Sequence, residues 1–396
     1  MVRILASFLI LLSISEVGGE NITSLGQTPD WSKLDAFQNK CSVENFRSEL
    51  EGVYCPRKSW WSPWIKFENN QIRIRKSAGT EDWYVLNCKR DSNQSRKMEN
   101  QLSNIKIIAL DPGHIGGDYA EMEGRNFQIG TDPFVREGDL SLRVAKRLKS
   151  LLQGKGFEAI LVRNQLQPVT SARPDDFERL VQNWIIDRNL TGLPEKKLQE
   201  LKNKRRELLF YRVSEIRARA KLIATKIQPD LTVCLHLNAA PWKDPDQKKL
   251  LDRNDYHVLV NGCFMGGELA YDDQRFEMVF RLLNSWHQTE RHFAERINQC
   301  FSTETGLPAF SYKGPNALKI GDIPGVWARN LLANRIYPGP VIFMEPYIAN
   351  SKTEYQRIQM GDYQGRKNFG GTQRLALVEE YAQCVLKGIM NSTGRK

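Results

Sequence analysis

The apolar positions along this chain change their period several times, and each change marks an element. From Ile105 a near-continuous apolar run leads into Asp111-Pro-Gly-His114. Such a run, closed by a turn, reads as a strand buried on both faces. Pro112 removes an amide donor and Gly113 tolerates unusual dihedrals, so the strand ends there and hands over His114. Phe157–Val162, Leu231–Leu235, Val258–Val260 and Val341–Met344 repeat the strand pattern. Between them the period is helical. Leu140, Val144, Leu148 and Leu151 share one face and are stopped by Gly154 and Gly156; the stretches 215–226, 286–301 (Phe293 and Ile297 inward) and 373–389 follow the same rule. Strands alternating with helices predict an α/β fold, with a central mostly parallel or mixed sheet flanked by helices.

The first hundred residues read differently. Arg3, the apolar run Ile4–Leu12 and the small residues Val17-Gly18-Gly19 make a secretory signal over 1–19, too short for a stable bilayer anchor. Residues 20–103 hold Trp31, Trp60, Trp61, Trp64 and Trp83, five of the nine tryptophans. Alternation at Gln71–Arg75 and the run Trp83–Leu86 predict strands of a small β-containing module. Its aromatics read first as the core of a small module and second as a glycan-binding face. The polar stretch 91–101 reads as a linker, and the main domain spans 104–396. Within it, residues 181–213 form an insertion, with Pro194 opening a helix and a basic segment at Lys202–Arg206. A solvated helix face is the plainest reading of that charge.

Composition narrows the class. With 396 residues, 41% apolar and 26% charged, the chain is globular and large enough for a main and a smaller domain. A net charge of +11 suits anionic partners such as cell wall or acidic lipid, and no aromatic-rich nucleic-acid motif accompanies it. After signal cleavage no stretch is apolar and long enough to cross a membrane. Seven cysteines are present. In an exported chain, one pair among Cys41, Cys55 and Cys88 is admissible, whereas Cys234 reads as a buried free thiol.

The candidate chemistry sits at element ends. His114 and His236 each follow a buried strand, and Glu137 opens a helix. Two imidazoles and a carboxylate match a catalytic zinc site with an open fourth position. His257, His287 and His292 lack partner motifs, and His257 is the principal decoy. Glu345 ends the strand at Val341–Met344, where an unpartnered ionised carboxylate would cost several kcal/mol. Asp111 and Asn238 read as groups that orient the histidines or, equally, as turn formers.

With Asp111-Pro-Gly-His114, Glu137 and His236-Leu-Asn238-Ala, the chain resembles the zinc-dependent N-acetylmuramoyl-L-alanine amidases that cleave peptidoglycan, over residues 104–391. That resemblance implies one Zn2+ per chain on His114, Glu137 and His236, with Glu345 as the catalytic acid/base. It implies hydrolysis of the amide between N-acetylmuramic acid and L-alanine, by an exported, periplasmic or cell-wall-associated enzyme acting in wall remodelling or cell separation. Related enzymes are often held inactive by a helical insertion, so an activator protein acting on 181–213 is a further implied partner. The chain departs from the family pattern in its longer loop at 115–136, in Val162-Arg163 and in Pro346-Tyr347. Two alternatives stand beside it: a zinc peptidase or deacylase on the same scaffold, and an inactive wall-binding or activator protein.

Overall fold

The computed structural model describes residues 21–89, 102, 104–244 and 246–395. The signal segment and the linker expected from the sequence fall outside the described residues. The described chain forms two compact units. One takes in the amino-terminal residues together with Phe264–Leu283, and the other is Asn93–Cys263 with Asn284–Lys396.

The first unit is built on a three-stranded antiparallel sheet, β1 (Ile65–Glu68), β2 (Gln71–Arg75) and β3 (Trp83–Asn87), in sequential order. Alternation on β2 puts Ile72 and Ile74 into the core. Trp61 is buried there and meets Phe67 edge-on at 5.5 Å, so this tryptophan is a core residue. The helix Asp272–Leu283, whose docking has no local signature in the chain, is held by charge. Asp272 accepts from the Asn21 and Ala78 amides at 3.0 Å each, and Arg275 donates to the Arg75 carbonyl at 2.6 Å.

The second unit carries the expected α/β sheet. Its strands in chain order are β4 (Ile107–Pro112), β5 (Asn126–Phe127), β6 (Val135–Arg136), β7 (Glu158–Leu161), β8 (Leu231–Leu235), β9 (Tyr256–Val260), β10 (Leu318–Lys319), β11 (Val326–Ala328), β12 (Val341–Pro346), β13 (Lys367–Phe369) and β14 (Thr372–Arg374). Seven of these form one sheet in the order β10-β11-β9-β12-β8-β4-β7. The pairs β12–β8, β8–β4, β4–β7 and β11–β9 are parallel, while β12–β9 and β10–β11 are antiparallel, so the sheet is mixed. Every residue of β8 and β9 is buried, as continuous apolar runs require when helices cover both faces. The helix Glu137–Gln153 lays Leu140, Val144 and Leu148 into the core.

Register places the site. Pro112 pairs with Leu235 across β4–β8, and Met344 pairs with Leu235 across β12–β8. β4 and β8 therefore end level while β12 runs on through Glu345 and Pro346 beside β9, and the residues just past Pro112 and Leu235 share one edge of the sheet with Glu345, where open α/β sheets bind ligands.

Two segments differ from expectation. The stretch at 115–136, expected as loop, contains the small β5–β6 hairpin. The helix expected from 215 is the last part of a longer helical run that begins at Glu195, with widened turns at Leu209–Ser214 and Ile223–Ile227. The near-helical repeat of Leu198, Leu201, Leu208 and Ile216 runs through this join, although Glu195–Leu208 buries none of its residues. Apolar burial resumes only at Leu209 and Phe210.

Candidate active site

His114, Glu137 and His236 converge at the shared edge. Their donor atoms all lie within 4.8 Å of one another, and they are the one such trio of metal-ligating residues among the described residues. His236 Nδ1 is 3.0 Å from Glu137 Oε1, and His114 Nε2 is 3.5 Å from Glu137 Oε2. Glu137 reaches both rings because it opens its helix, whose first turn lies against the loop after β4. The approach is close: a Cβ on Gly138 would stand 2.4 Å from the Gly116 nitrogen. Gly113 is more constrained still, since a Cβ there would sit 1.9 Å from His236 ring atoms. Behind the ring, Phe343 stacks on His236 at 4.3 Å, and the Tyr381 hydroxyl donates to the His236 carbonyl at 2.9 Å.

The charges are matched. Burial works to raise the Glu137 carboxyl, but the imidazoles of His114 and His236, with Arg125, draw it down to about 2. Glu345 goes the other way. Burial and then the facing Glu137 carboxylate push it up to about 8, against the pull of His114, Arg125 and Arg329. Two carboxyls whose environments drive their proton affinities apart are suited to different tasks, one as an anionic ligand and one as a proton carrier. Among the described residues no donor holds the Glu345 carboxyl, which is half-buried.

The donor set fits zinc: neutral imidazole nitrogens and one carboxylate are its ordinary three-residue catalytic set. The ring of His114 also has the backing such ligands need. Its Nε2 faces Glu137, while its Nδ1 lies 3.4 Å from Glu123. Glu123 is itself fixed by the amides of Ile115 (2.9 Å) and Gly116 (3.1 Å), and its carboxyl, despite burial, is drawn below the ordinary range by His114 and these amides.

The sequence reading missed Glu123, as well as Arg125, whose Nε lies 3.1 Å from His114 Nε2. Both stand in the loop after β4, where no periodicity marks them; the only signal was an acidic cluster following a candidate ligand. Arg163, noted only for its position, is buried and donates to the Pro112 and Gly138 carbonyls at 3.2 Å each, clamping the end of β4 to the start of the Glu137 helix.

Asp111 and Asn238, read from the sequence equally as orienting groups or as turn formers, make different contacts. Asp111 is buried and must be paired; it accepts from Arg219 at 2.9 Å and Tyr337 at 2.7 Å, and Arg219 in turn donates to the His114 carbonyl at 3.2 Å. Asp111 thus meets the His114 backbone through Arg219, while Glu123 is the carboxylate beside the ring. Asn238 accepts from the Ala239 amide at 2.8 Å, within its own turn. Asn350 accepts from the Ala240 amide at 3.0 Å and donates to its carbonyl at 2.8 Å, stapling the loop after His236 to the one after Glu345.

Tyr347 takes the strained left-handed backbone conformation (φ 67°) just past Glu345. It is held by a hydroxyl bond to Glu380 at 3.0 Å and by edge contacts with Phe301 and Tyr381. Next to the cluster, a cavity of about 540 Å³ is lined by Gly117, Asp118, Asn126, Phe127, Phe134 and Arg136.

No curated protein matches the chain. Among solved structures it is similar to the CwlD amidase of Clostridioides difficile in complex with the GerS lipoprotein, at 13% identity over 74% of this chain and 100% of that one, with a TM-score of 0.41. It is likewise similar to the amidase AmiC2 of Nostoc punctiforme (14% identity, 73% and 98% covered, TM-score 0.39). The amidase Ami1 of Mycobacterium smegmatis is a third similar structure (15% identity, 74% and 98% covered, TM-score 0.39). A family model described as N-acetylmuramoyl-L-alanine amidase matches residues 108–367, which is more than half of the chain and runs from β4 past Glu345. By that match the chain belongs to the N-acetylmuramoyl-L-alanine amidase family.

Proposed function

We propose that this protein is an exported, zinc-dependent hydrolase of the amide between the lactyl group of N-acetylmuramic acid and L-alanine in peptidoglycan. The observation that carries the reading is the trio His114, Glu137 and His236, with donor atoms within 4.8 Å, facing Glu345 inside the family-matched segment. Zinc held by this trio would supply Lewis acidity, acidifying water and polarising the scissile carbonyl.

The chain's own residues do the rest. Glu137 and the two imidazoles supply the ligand atoms, and Glu123 holds His114 in orientation. Glu345 is poised to take a proton from water and return it to the leaving amine, since burial keeps its affinity near the working pH rather than at the acidic value of a free carboxyl. Arg163 and Arg219 keep the strand end and the His114 backbone in place. No helix among the described residues is long and apolar enough to cross a membrane. A net charge of +11 favours the anionic wall.

The insertion belongs to the same reading. Its helix Glu195–Leu208 buries no residue, which supports the solvated-face view. Replacing 189–206 by a short flexible linker separates the alternatives. Faster turnover on sacculi would mark the segment as the inhibitory element on which an activator acts, and weaker wall binding would mark it as substrate capture.

Metal analysis tests the core of the proposal. Purified chain is expected to hold one zinc, to lose activity on sacculi with chelation and to regain it with zinc. A fully active chain without stoichiometric metal would overturn the reading.

A further inference from the structure

Two cysteines distant in sequence meet at one corner of the amino-terminal unit. The sulfurs of Cys41 and Cys88 lie 3.8 Å apart across a separation of 47 residues. The backbone on both sides is clamped, so the meeting does not depend on mobile side chains. The Asn39 amide donates to the Asn87 carbonyl at 2.8 Å, and the Lys89 amide to the Cys41 carbonyl at 3.0 Å. Gln38 adds a side-chain bond from the Asn87 amide at 2.8 Å. Segments joined in this ladder-like way run about 5 Å apart, within the Cα separation a disulfide spans. Rotation about the Cα–Cβ bonds is then enough to bring the sulfurs together. Cys88 is buried and Cys41 half-buried, so a reagent reaches Cys41 first.

We propose that Cys41 and Cys88 form a disulfide that locks the amino-terminal unit, a modification that rests on the export in the proposed function for its oxidising surroundings. The oxidant is a disulfide of the compartment, either a small thiol disulfide or an oxidoreductase. The Cys41 thiolate attacks one of its sulfurs and expels a thiol, giving a mixed disulfide. The Cys88 thiolate then attacks the Cys41 sulfur and expels the second thiol. The two cysteines lose two protons and two electrons, and the oxidant leaves as two reduced thiols. Burial, and then the neighbouring Cys41, push the Cys88 thiol up to about 12. Closure in the folded unit is therefore slow near neutrality and faster in alkali. The closed loop holds β1, β2 and β3, so the crosslink restricts the unfolded chain across this whole three-stranded sheet.

The test uses the full chain, reduced and then held at mildly alkaline pH in mixed oxidised and reduced glutathione. Free thiols are alkylated and the protein is digested without reduction. The expected product is a peptide pair containing Cys41 and Cys88, lighter by two hydrogens than the separate peptides and split by reductant. Cys41→Ser is expected to abolish that pair and leave Cys88 open to alkylation once the chain is unfolded, and Cys88→Ser does the converse for Cys41. Recovery of both as alkylated thiols in the wild type, or of Cys88 joined to another cysteine, overturns the pairing. Thiol trapping in the producing cells tests the compartment separately. A chain that crosslinks in the buffer yet is trapped reduced in cells overturns the native disulfide; fractionation of the same cells reads export separately, and the metal and amidase chemistry stay open to their own test.

Discussion

His236 and His257 stand near each other on the same sheet, yet their surroundings make them opposites. His236 follows β8 and shares Glu137 with His114; a carboxylate lies 3.0 Å from its ring. His257 is on β9, in register with Glu345 across the antiparallel β12–β9 pair. It is buried, bonded to the Tyr312 hydroxyl at 3.0 Å, and packed against Phe310. Burial, followed by Arg329 and Arg253, drives its proton affinity down to about 3, so this ring is neutral at any ordinary pH. Both rings are half of a polar pair at a sheet edge, but only His236 is paired with an acid. Position at a strand end does not by itself bring an acid to the ring; of these two, only His236 has one.

The strongest way to break this comparison is to remove a ligand. His114→Ala or His236→Ala is expected to abolish stoichiometric zinc and all measurable amidase activity, while His257→Phe keeps both; metal analysis beside a sacculus digestion reads the contrast. Next comes the proton carrier. Glu345→Gln should leave zinc content and folding intact and slow turnover by about a hundred- to ten-thousand-fold, checked by rate at saturating substrate. The backing of His114 should matter less. Glu123→Gln is expected to weaken zinc binding by roughly ten- to a hundred-fold, as loss of a ligand-orienting partner does, measured by competition with a chelator.

The smallest effect sharpens the other side. His257 has a folded affinity below its unfolded value near 6.5, so the unfolded chain binds the extra proton as pH falls. Stability tied to its neutral form is present above about pH 6.5 and is lost progressively toward pH 3. Substituting Phe should remove that acid-side slope, about 1.4 kcal/mol per pH unit at most, in denaturant titrations from pH 6.5 to 4. An unchanged slope would mean that His257 is not the buried neutral group described.

How much of this was readable beforehand follows from the same physics. The runs ending at Pro112, Leu235 and Met344 are apolar because both faces of their strands are covered, and that marked His114, His236 and Glu345 as delivered residues, to which the family resemblance then added roles. Glu137 was legible because the helix behind it has a regular apolar face. Glu123 and Arg125 were not, since a loop has no period and their meaning comes from His114, nine and eleven residues back. The docking of Asp272–Leu283 was hidden for a related reason. Its anchors, Asn21, Ala78 and the Arg75 carbonyl, are about two hundred residues away or more and carry no local signature. Tyr347 is a third case: Pro346-Tyr347 looked like a departure from the family pattern, and only the bond to Glu380 and the Phe301 and Tyr381 contacts show how a tyrosine is held at φ 67°.

The most direct test of the central claim is mass analysis of what the purified protein releases from sacculi, with Glu345→Gln as the control. Wild type is expected to release stem peptides with a free L-alanine amino terminus and to leave glycan strands bearing unmodified lactyl carboxyls, with the control releasing neither at comparable rate. Peptides cut within the stem, released deacylation products, or equal release by the Glu345→Gln control would contradict it.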